Sequence, residues 1–398
     1  MSKEIYLDNS ASTPLHPFVY KEMKKFWSDE YGNCSSTHQY GQRANAAVSK
    51  SRKLIADLFY CQPEELMFTS GATESNNTAI KGVMKFYDRK FKVKELKYKP
   101  HMIISAIEHP SVLESALSLE RDGFELSVIR SNDKGAIDIK DVLDAIRDNT
   151  VLISLMYVNN ETGIIQPIQD LGKQLLVINE EREQGNLPHI YYHVDAVQAF
   201  NYLNCRPDHL KADLLSYSGH KIYGPKGVGL LYIRNKTPMI RLIDGGHQER
   251  TLRGGTSNTT GIVGLGAAVQ LHINNHDKQI SHIQAMSEYL YSHLKNINGL
   301  RFNSSQTDSV PSIINIAIKG IKGTDLQMKL DMEGFATSVG AACASGAIKP
   351  SPVLLAMGQS SEEAEQGLRI SLGNQNSIKE VKKFAKVLSN IINDLLHE

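Results

Sequence analysis

The sequence is poor in cysteine, and its few cysteines are widely spaced. Cys34, Cys61, Cys205 and Cys343 are the only four among 398 residues. They are too sparse for a disulfide framework and too scattered for the close pairing of a zinc site. We therefore expect no bound metal, and each thiol has to be judged singly, since most thiols are small buried hydrophobes.

Long apolar runs and an excess of one charge are also lacking. No stretch approaches the roughly 18 uncharged apolar residues of a membrane-spanning helix, and the opening MSKEIYLDNSAST has no apolar core of a secretory signal. Basic residues number 44 and acidic residues 43, so no nucleic-acid or anionic-membrane surface is indicated. The sequence predicts a soluble, cytoplasmic protein without a direct nucleic-acid or membrane partner.

What the sequence does contain, from about residue 15 to 260, is a regular alternation of short β-branched runs with helical patterns. The runs are LMFTS near 66, HMIISAI near 101, LISLMYV near 152, IYYHVDA near 190, ADLLSYS near 212 and GVGLLYI near 227. Few of them alternate polar and apolar residues, as expected of strands buried on both faces. This pattern predicts an α/β fold with a mostly parallel sheet flanked by helices.

The last third of the chain has a different pattern. Residues 261–298 read as helix, interrupted at most around 274–277, and are followed by SIINIAIKG, an amphipathic DLQMKLDMEG segment and a terminal helical EVKKFAKVLSNIINDLL. We expect two domains: a large one over residues 15–260, and a smaller α+β domain formed by 1–14 and 261–398.

The most informative segment is SYSGHKIYGPKG, which places Lys221 just after an apolar strand among small and polar residues. Desolvation at such a strand end makes a lysine amine a usable nucleophile. Most lysines are instead solvated surface charges. A phosphate-binding P-loop is excluded, because Pro225 and Lys226 stand where that motif needs lysine and then serine or threonine.

Three further strand ends carry groups suited to holding a charged ligand. A helix that opens at about Thr73 in TSGATESNN offers free backbone N–H groups to a phosphate, or is simply an ordinary helix start. Asp195 in HVDAVQ has the position of a buried carboxylate, whose partner would be a ligand cation or an arginine. His109 in EHPSV would stack on a flat cofactor and move protons, or be structural.

Cys343 lies in ATSVGAACASGAIKPSP, a composition that predicts a loop rather than a helix or strand. Loops often carry reactive groups, and a thiol there is poorly explained as core filler. We therefore favour a functional thiol at Cys343 and buried fillers at the other three cysteines.

Read together, these segments resemble the cysteine desulfurases of the NifS/IscS type, which are fold type I pyridoxal 5'-phosphate (PLP) enzymes of the class V aminotransferase group. The resemblance covers nearly the whole chain and rests on YLDNSASTP, TSGATESNN, EHPSV, VNNETG, HVDAVQ, SGHKIYGPKG, GGHQERTLRGGT, the Cys343 segment and LRISLG, in the family's order. The loop that carries Cys343, about residues 337–352, resembles in its length the longer loop of the group I cysteine desulfurases.

The resemblance implies a role for each candidate residue. Lys221 would bind PLP covalently, His109 would stack on the ring and serve in acid/base steps, and Asp195 would pair with the pyridine nitrogen. The remaining PLP contacts would be Gln198 and Asn160 at the phenolic oxygen, and Ala72, Thr73, Ser218 and His220 at the phosphate. Thr256 would complete the phosphate site from the other subunit of a homodimer, and Arg369, with Asn160, would bind the substrate, the arginine clamping its carboxylate.

By the same resemblance the chain is a sulfurtransferase. It would convert L-cysteine to L-alanine while Cys343 takes the sulfur as a persulfide and passes it to an acceptor protein, for iron–sulfur clusters, tRNA thiolation or a related pathway. The alternatives are another PLP enzyme of this fold, such as a selenocysteine lyase, a C–S lyase or a transaminase, and a non-catalytic scaffold. The intact set of chemical residues argues against the scaffold.

Overall fold

The structure, a computed structural model, describes residues 4–95, 98–340 and 349–397. Its helices are α1 (Pro17–Ser28), α2 (Gln39–Phe59), α3 (Ala72–Val93), α4 (Pro110–Arg121), α5 (Ile139–Asp144), α6 (Ile168–Gln184), α7 (Pro207–Leu210), α8 (Thr259–Leu294), α9 (Gly323–Met332), α10 (Pro352–Ala356), α11 (Ser361–Glu365) and α12 (Ile378–His397). Its strands are β1 (Ile5–Tyr6), β2 (Leu66–Thr69), β3 (His101–Ser105), β4 (Glu125–Ile129), β5 (Thr150–Met156), β6 (Tyr191–Asp195), β7 (Leu214–Ser218), β8 (Gly229–Ile233), β9 (Leu300–Phe302), β10 (Ile313–Ile318), β11 (Phe335–Ala336) and β12 (Gly367–Ser371).

A seven-stranded sheet with the order β2-β8-β7-β6-β5-β3-β4 forms the centre of the fold. Strands β7, β6, β5, β3 and β4 pair in parallel, whereas β8 is antiparallel to both of its neighbours. The predicted α/β class with a mostly parallel sheet is confirmed. All residues of β3, β5, β7 and β8 are buried, as their mostly apolar runs without strict polar alternation indicate.

The edge strand β4 is absent from the runs that the sequence analysis singled out. Its residues ELSVI are mostly half-exposed, with only Ile129 buried. An edge strand has one unpaired side and less cover from helices, so it does not need a continuous apolar sequence.

Helix α8 runs without a break from Thr259 to Leu294, so the interruption suggested around 274–277 does not occur. The polar residues there lie on a half-exposed part of the helix, where Asn275 Nδ2 donates back to Leu271 O at 3.0 Å. The helix joins two hydrophobic cores: Ile262 and Leu265 pack in the core beside the large sheet, and Leu290 packs in a second core.

That second core lies around a three-stranded sheet, β12-β10-β9, and the short pair β1-β11. It brings together residues from both ends of the chain, including Leu7, Leu368 and Leu388. The proposed domain boundaries at 14/15 and 260/261 stay a prediction. Over the described residues, no helix has the length and apolar character to cross a membrane.

Candidate active site

Most of the predicted site residues line one cavity of about 750 Å³. Those found there are Ala72, Thr73, His109, Asn160, Asp195, Gln198, Ser218, His220, Lys221 and Arg369. Two predicted residues are not among them. Thr256 lies in an adjoining cleft that shares Ser70 with this cavity, and Cys343 lies outside the described residues.

The sheet explains why residues so far apart in sequence meet. Strand β6 ends at Asp195, the parallel strand β7 ends at Ser218, and the 3₁₀ turn Gly219–Lys221 follows directly. Because the carboxyl ends of parallel strands share one edge of a sheet, these groups open into the same crevice. His109 reaches that edge from the loop after β3, as the N-cap of α4.

Lys221 is held by backbone carbonyls of the N-terminal segment. Its Nζ donates to Ser10 O and, at 2.7 Å, to Ala11 O. Burial, together with nearby Arg369, lowers the pKa of Lys221 to about 8, although Asp8 and Asp195 oppose the shift. An amine with this pKa is partly unprotonated near neutral pH, as a nucleophilic lysine requires.

Arg369, on β12, supplies the second cation of the cavity. Its Nη2 donates to Asp8 Oδ1 at 2.8 Å and its Nη1 to Asn160 O at 3.0 Å. The buried Nε has no hydrogen-bond partner in the part of the chain that the structure describes. Arg369 lines the cavity, and a guanidinium at such a place fits recognition of a carboxylate.

Asp195 is buried and accepts two hydrogen bonds. Val197 N donates to Oδ1 at 3.0 Å, and Asn76 Nδ2 donates to Oδ2 at 2.8 Å. Lys221 is near enough to interact with this charge, but among the described residues no cation hydrogen-bonds to the carboxylate. A protonated pyridine nitrogen would be such a cation.

His109 borders the open space of the cavity, and its Nδ1 accepts a hydrogen bond from Ser111 N at 3.1 Å. The surrounding protein lowers the pKa of His109 by desolvation; Asp195 raises the pKa and Lys221 lowers it further. The imidazole is therefore neutral near pH 7, and Nε2 is the ring nitrogen left for a ligand.

Gln198 and Asn160 meet at the N-terminal segment. Gln198 Nε2 donates to Ser10 O at 3.0 Å, and Ser10 Oγ donates to Asn160 O at 2.7 Å. The predicted contacts of these two amides with a phenolic oxygen are not made by the chain itself and stay a prediction.

The opening of α3 has the features of an anion site. Gly71 precedes it with φ +152°, and no side chain among the described residues caps the helix. Its first N–H groups therefore face the cavity beside Ser218 and His220. Burial, with Lys221 and Lys226, lowers the pKa of His220 to about 4, so this imidazole is neutral.

These donors and acceptors fit PLP. An uncapped helix start with Ser218 suits the phosphate, the buried Asp195 suits a ring cation, and Lys221 suits the aldehyde carbon. Within the described residues no group of three or more His, Cys, Asp or Glu side chains is placed to hold a metal ion.

Three residues of the site were missed by the sequence analysis. Asn76 and Ser111 connect Asp195 with His109. Glu108 lines the cavity and is buried; Ser105 Oγ and Met156 N donate to its Oε1. Burial, helped by Asp195, raises the pKa of Glu108 to about 8. The sequence marks Glu108 and Ser111 only as neighbours of His109 in EHPSV.

Known proteins that resemble this chain belong to the family that the residues of the cavity indicate. The family model described as aminotransferase class-V matches residues 5–384. The chain is 39% identical over 396 residues to "Cysteine desulfurase IscS" of Dictyoglomus turgidum, covering 99% of this chain and 96% of that protein.

Solved structures agree as well. A "NifS-like protein" superposes with a TM-score of 0.87 at 33% identity, covering 98% of this chain and 99% of the other. "SspA in complex with cysteine" superposes with a TM-score of 0.79 at 36% identity, covering 93% and 99%.

Proposed function

The chain belongs to the aminotransferase class-V family, and from that premise we propose that it is a PLP-dependent cysteine desulfurase. The observation that carries the proposal is the meeting of Lys221, Asp195 and Arg369 around one cavity. They supply an amine of lowered pKa, a buried carboxylate whose hydrogen bonds among the described residues come from neutral donors, and a guanidinium. Relatives named cysteine desulfurase and a neighbour solved with cysteine support the substrate.

The cofactor would be held by Lys221, Asp195, His109 and the start of α3, with Asn160, Gln198, Ser218, His220 and the partner-donated Thr256 as further contacts. When bound, PLP supplies an electron sink for charge that develops at the substrate α-carbon. Arg369 binds the carboxylate of L-cysteine, and Lys221 Nζ removes the α-proton and returns it.

Sulfur transfer is assigned to Cys343. Its thiolate attacks the substrate sulfur, the C–S bond breaks with its electron pair left on carbon, and a persulfide forms on the enzyme. The carbon skeleton takes up protons and leaves as L-alanine. An acceptor protein then takes the outer sulfur.

The assembly and location remain predictions: a homodimer, in which Thr256 reaches the neighbouring subunit's phosphate site, in the cytoplasm. The division into a domain of residues 15–260 and a smaller one of 1–14 and 261–398 belongs to the same proposal.

The test is to supply L-cysteine to the purified holoenzyme and to measure alanine and sulfide together. The holoenzyme is expected to be yellow and to release both in equal amounts with a thiol reductant present. Cys343→Ala should keep the colour and lose alanine. Cys61→Ala is the matched control, because burial raises the pKa of that thiol to about 12 and makes it inert.

Two outcomes would contradict the proposal. Alanine or sulfide formation that survives Cys343→Ala would indicate a lyase of the same fold. A colourless protein that PLP does not restore would remove the whole cofactor assignment.

A further inference from the structure

A chain of side-chain hydrogen bonds, buried between Asp195 and Ser111 and part-buried where it reaches His109, joins Asp195 to His109. Asn76, on α3, is fully buried. Its Nδ2 lies 2.8 Å from Asp195 Oδ2 and 2.8 Å from Ser111 Oγ. Ser111 Oγ lies 2.8 Å from His109 Nδ1. None of these contacts involves the cofactor, so they exist in the chain by itself.

The chemistry of each group fixes the direction of these hydrogen bonds. An ionised Asp195 can only accept, so the NH₂ end of Asn76 must face it. The second hydrogen of that NH₂ group then points at Ser111 Oγ, which accepts it. The Ser111 hydroxyl hydrogen is left free to donate to His109 Nδ1.

His109 Nδ1 therefore faces two donors. One is the Ser111 hydroxyl and the other is the backbone N–H of Ser111, at 3.1 Å. A nitrogen that accepts from a backbone N–H cannot itself carry a proton. The neutral imidazole must then have its hydrogen on Nε2.

We propose that Asn76 is a positioning residue that acts through Ser111 to hold His109 in its Nε2–H form while it fixes the Asp195 carboxylate. This inference rests on the proposed function for its catalytic meaning. With hydrogen on Nε2, His109 meets the cavity as a hydrogen-bond and proton donor. It cannot serve as a base there until its tautomer changes, which the two donors at Nδ1 oppose. Among the described residues, the charges that affect the pKa of His109 are those of Asp195, which raises it, and Lys221, which lowers it.

The tautomer can be measured without turnover. The protein is prepared free of PLP with ¹⁵N-labelled histidine, and the His109 signals are assigned by their loss in His109→Gln among the 14 histidines. At neutral pH the wild type is expected to show a bare Nδ1 and a protonated Nε2. A protonated Nδ1 at that pH would overturn the proposal without any further variant.

Variants test the role of the network. Ser111→Ala is expected to let His109 titrate at higher pH, because Nδ1 loses one of its two donors. The backbone N–H of residue 111 stays and keeps the neutral ring in its Nε2–H form. Ser111→Thr is expected to restore the wild-type signals. Asn76→Ala should move the spectrum in the same direction as Ser111→Ala. The matched control is Ser115→Ala, which removes another buried hydroxyl of α4 whose Oγ has no partner among the described residues; its His109 spectrum should be unchanged.

In the holoenzyme, Ser111→Ala is expected to lower kcat for alanine formation about tenfold, to leave KM unchanged, and to shift the pH profile. His109 signals in Ser111→Ala identical to those of the wild type would sink the proposal. Because the spectra need neither cofactor nor cysteine, that failure is distinguishable from failure of the desulfurase assignment.

Discussion

Two sets of groups in the cavity stabilise charge in different ways. In the first set, Asp195, Asn76 and His109 belong to one network of side-chain hydrogen bonds. In the second set, Lys221 and Arg369 are held mainly by backbone carbonyls, with Asp8 as the one acid that hydrogen-bonds to them in the described chain.

The difference matches what each set has to do. Asn76 and Asp195 are buried and satisfy each other, so the first set is preorganised. Carbonyl oxygens are weaker partners for a cation than a ligand carboxylate, so the second set can exchange them when substrate enters. We expect substitutions in the second set to change binding and chemistry, and Glu108, which interacts with Asp195 of the first set, to act through protonation.

The largest effect is expected from Lys221→Ala, which removes the amine of the second set. Alanine formation should fall by at least about 10³-fold, because the nucleophile and proton carrier are lost together. The protein should also fail to hold PLP after dialysis. Activity and visible absorption are measured beside Lys50→Ala, an exposed lysine distant from the site. Retained activity would show that another group carries these roles.

A smaller effect is expected from Arg369→Lys, which keeps the charge and loses the planar fork. One or two charge-assisted hydrogen bonds to the substrate carboxylate should disappear, which raises KM for L-cysteine about 10- to 100-fold. The KM is obtained from initial rates of alanine formation at several L-cysteine concentrations. Arg301→Lys, in an exposed pair with Glu363, is the matched control. An unchanged KM would mean that the carboxylate binds elsewhere.

The smallest effect on turnover at neutral pH is expected from Glu108→Gln, next to His109 in the sequence, because this substitution acts on stability. The pKa of Glu108 rises on folding from 4.5 to about 8. Between those values the folded state binds more protons than the unfolded state, so stability falls as pH rises, by up to about 1.4 kcal/mol per pH unit. Glutamine cannot ionise and should flatten that slope.

Urea unfolding of wild type and Glu108→Gln from pH 5 to pH 8 measures this difference. The free energies of unfolding of the two proteins should converge toward the acidic end and diverge toward pH 8, because only the wild type has to take up a proton on folding. Equal slopes in the two proteins would show that Glu108 ionises in the folded state as it does in the unfolded one. Glu114→Gln, on the same segment and exposed, serves as the control.

Much of the architecture followed from local patterns. Strands buried inside a sheet carry mostly apolar runs, and six of the seven strands of the large sheet do so. The edge strand β4 does not, and α8 continues through polar residues that looked like a break. In both cases the exposure of the residues depends on which other helices and strands pack against them. A short window of sequence carries no information about that packing.

The sequence alone determined the chemical inventory and its order: Lys221, Asp195, His109 and Arg369 in segments that match a family end to end. Only the tertiary structure decided which groups touch. Asn76 bonds Asp195 across 119 positions and Arg369 bonds Asp8 across 361. No local pattern encodes such pairs, because a hydrogen bond depends on distances of about 3 Å and on direction, and the sheet and the meeting of the chain ends set both.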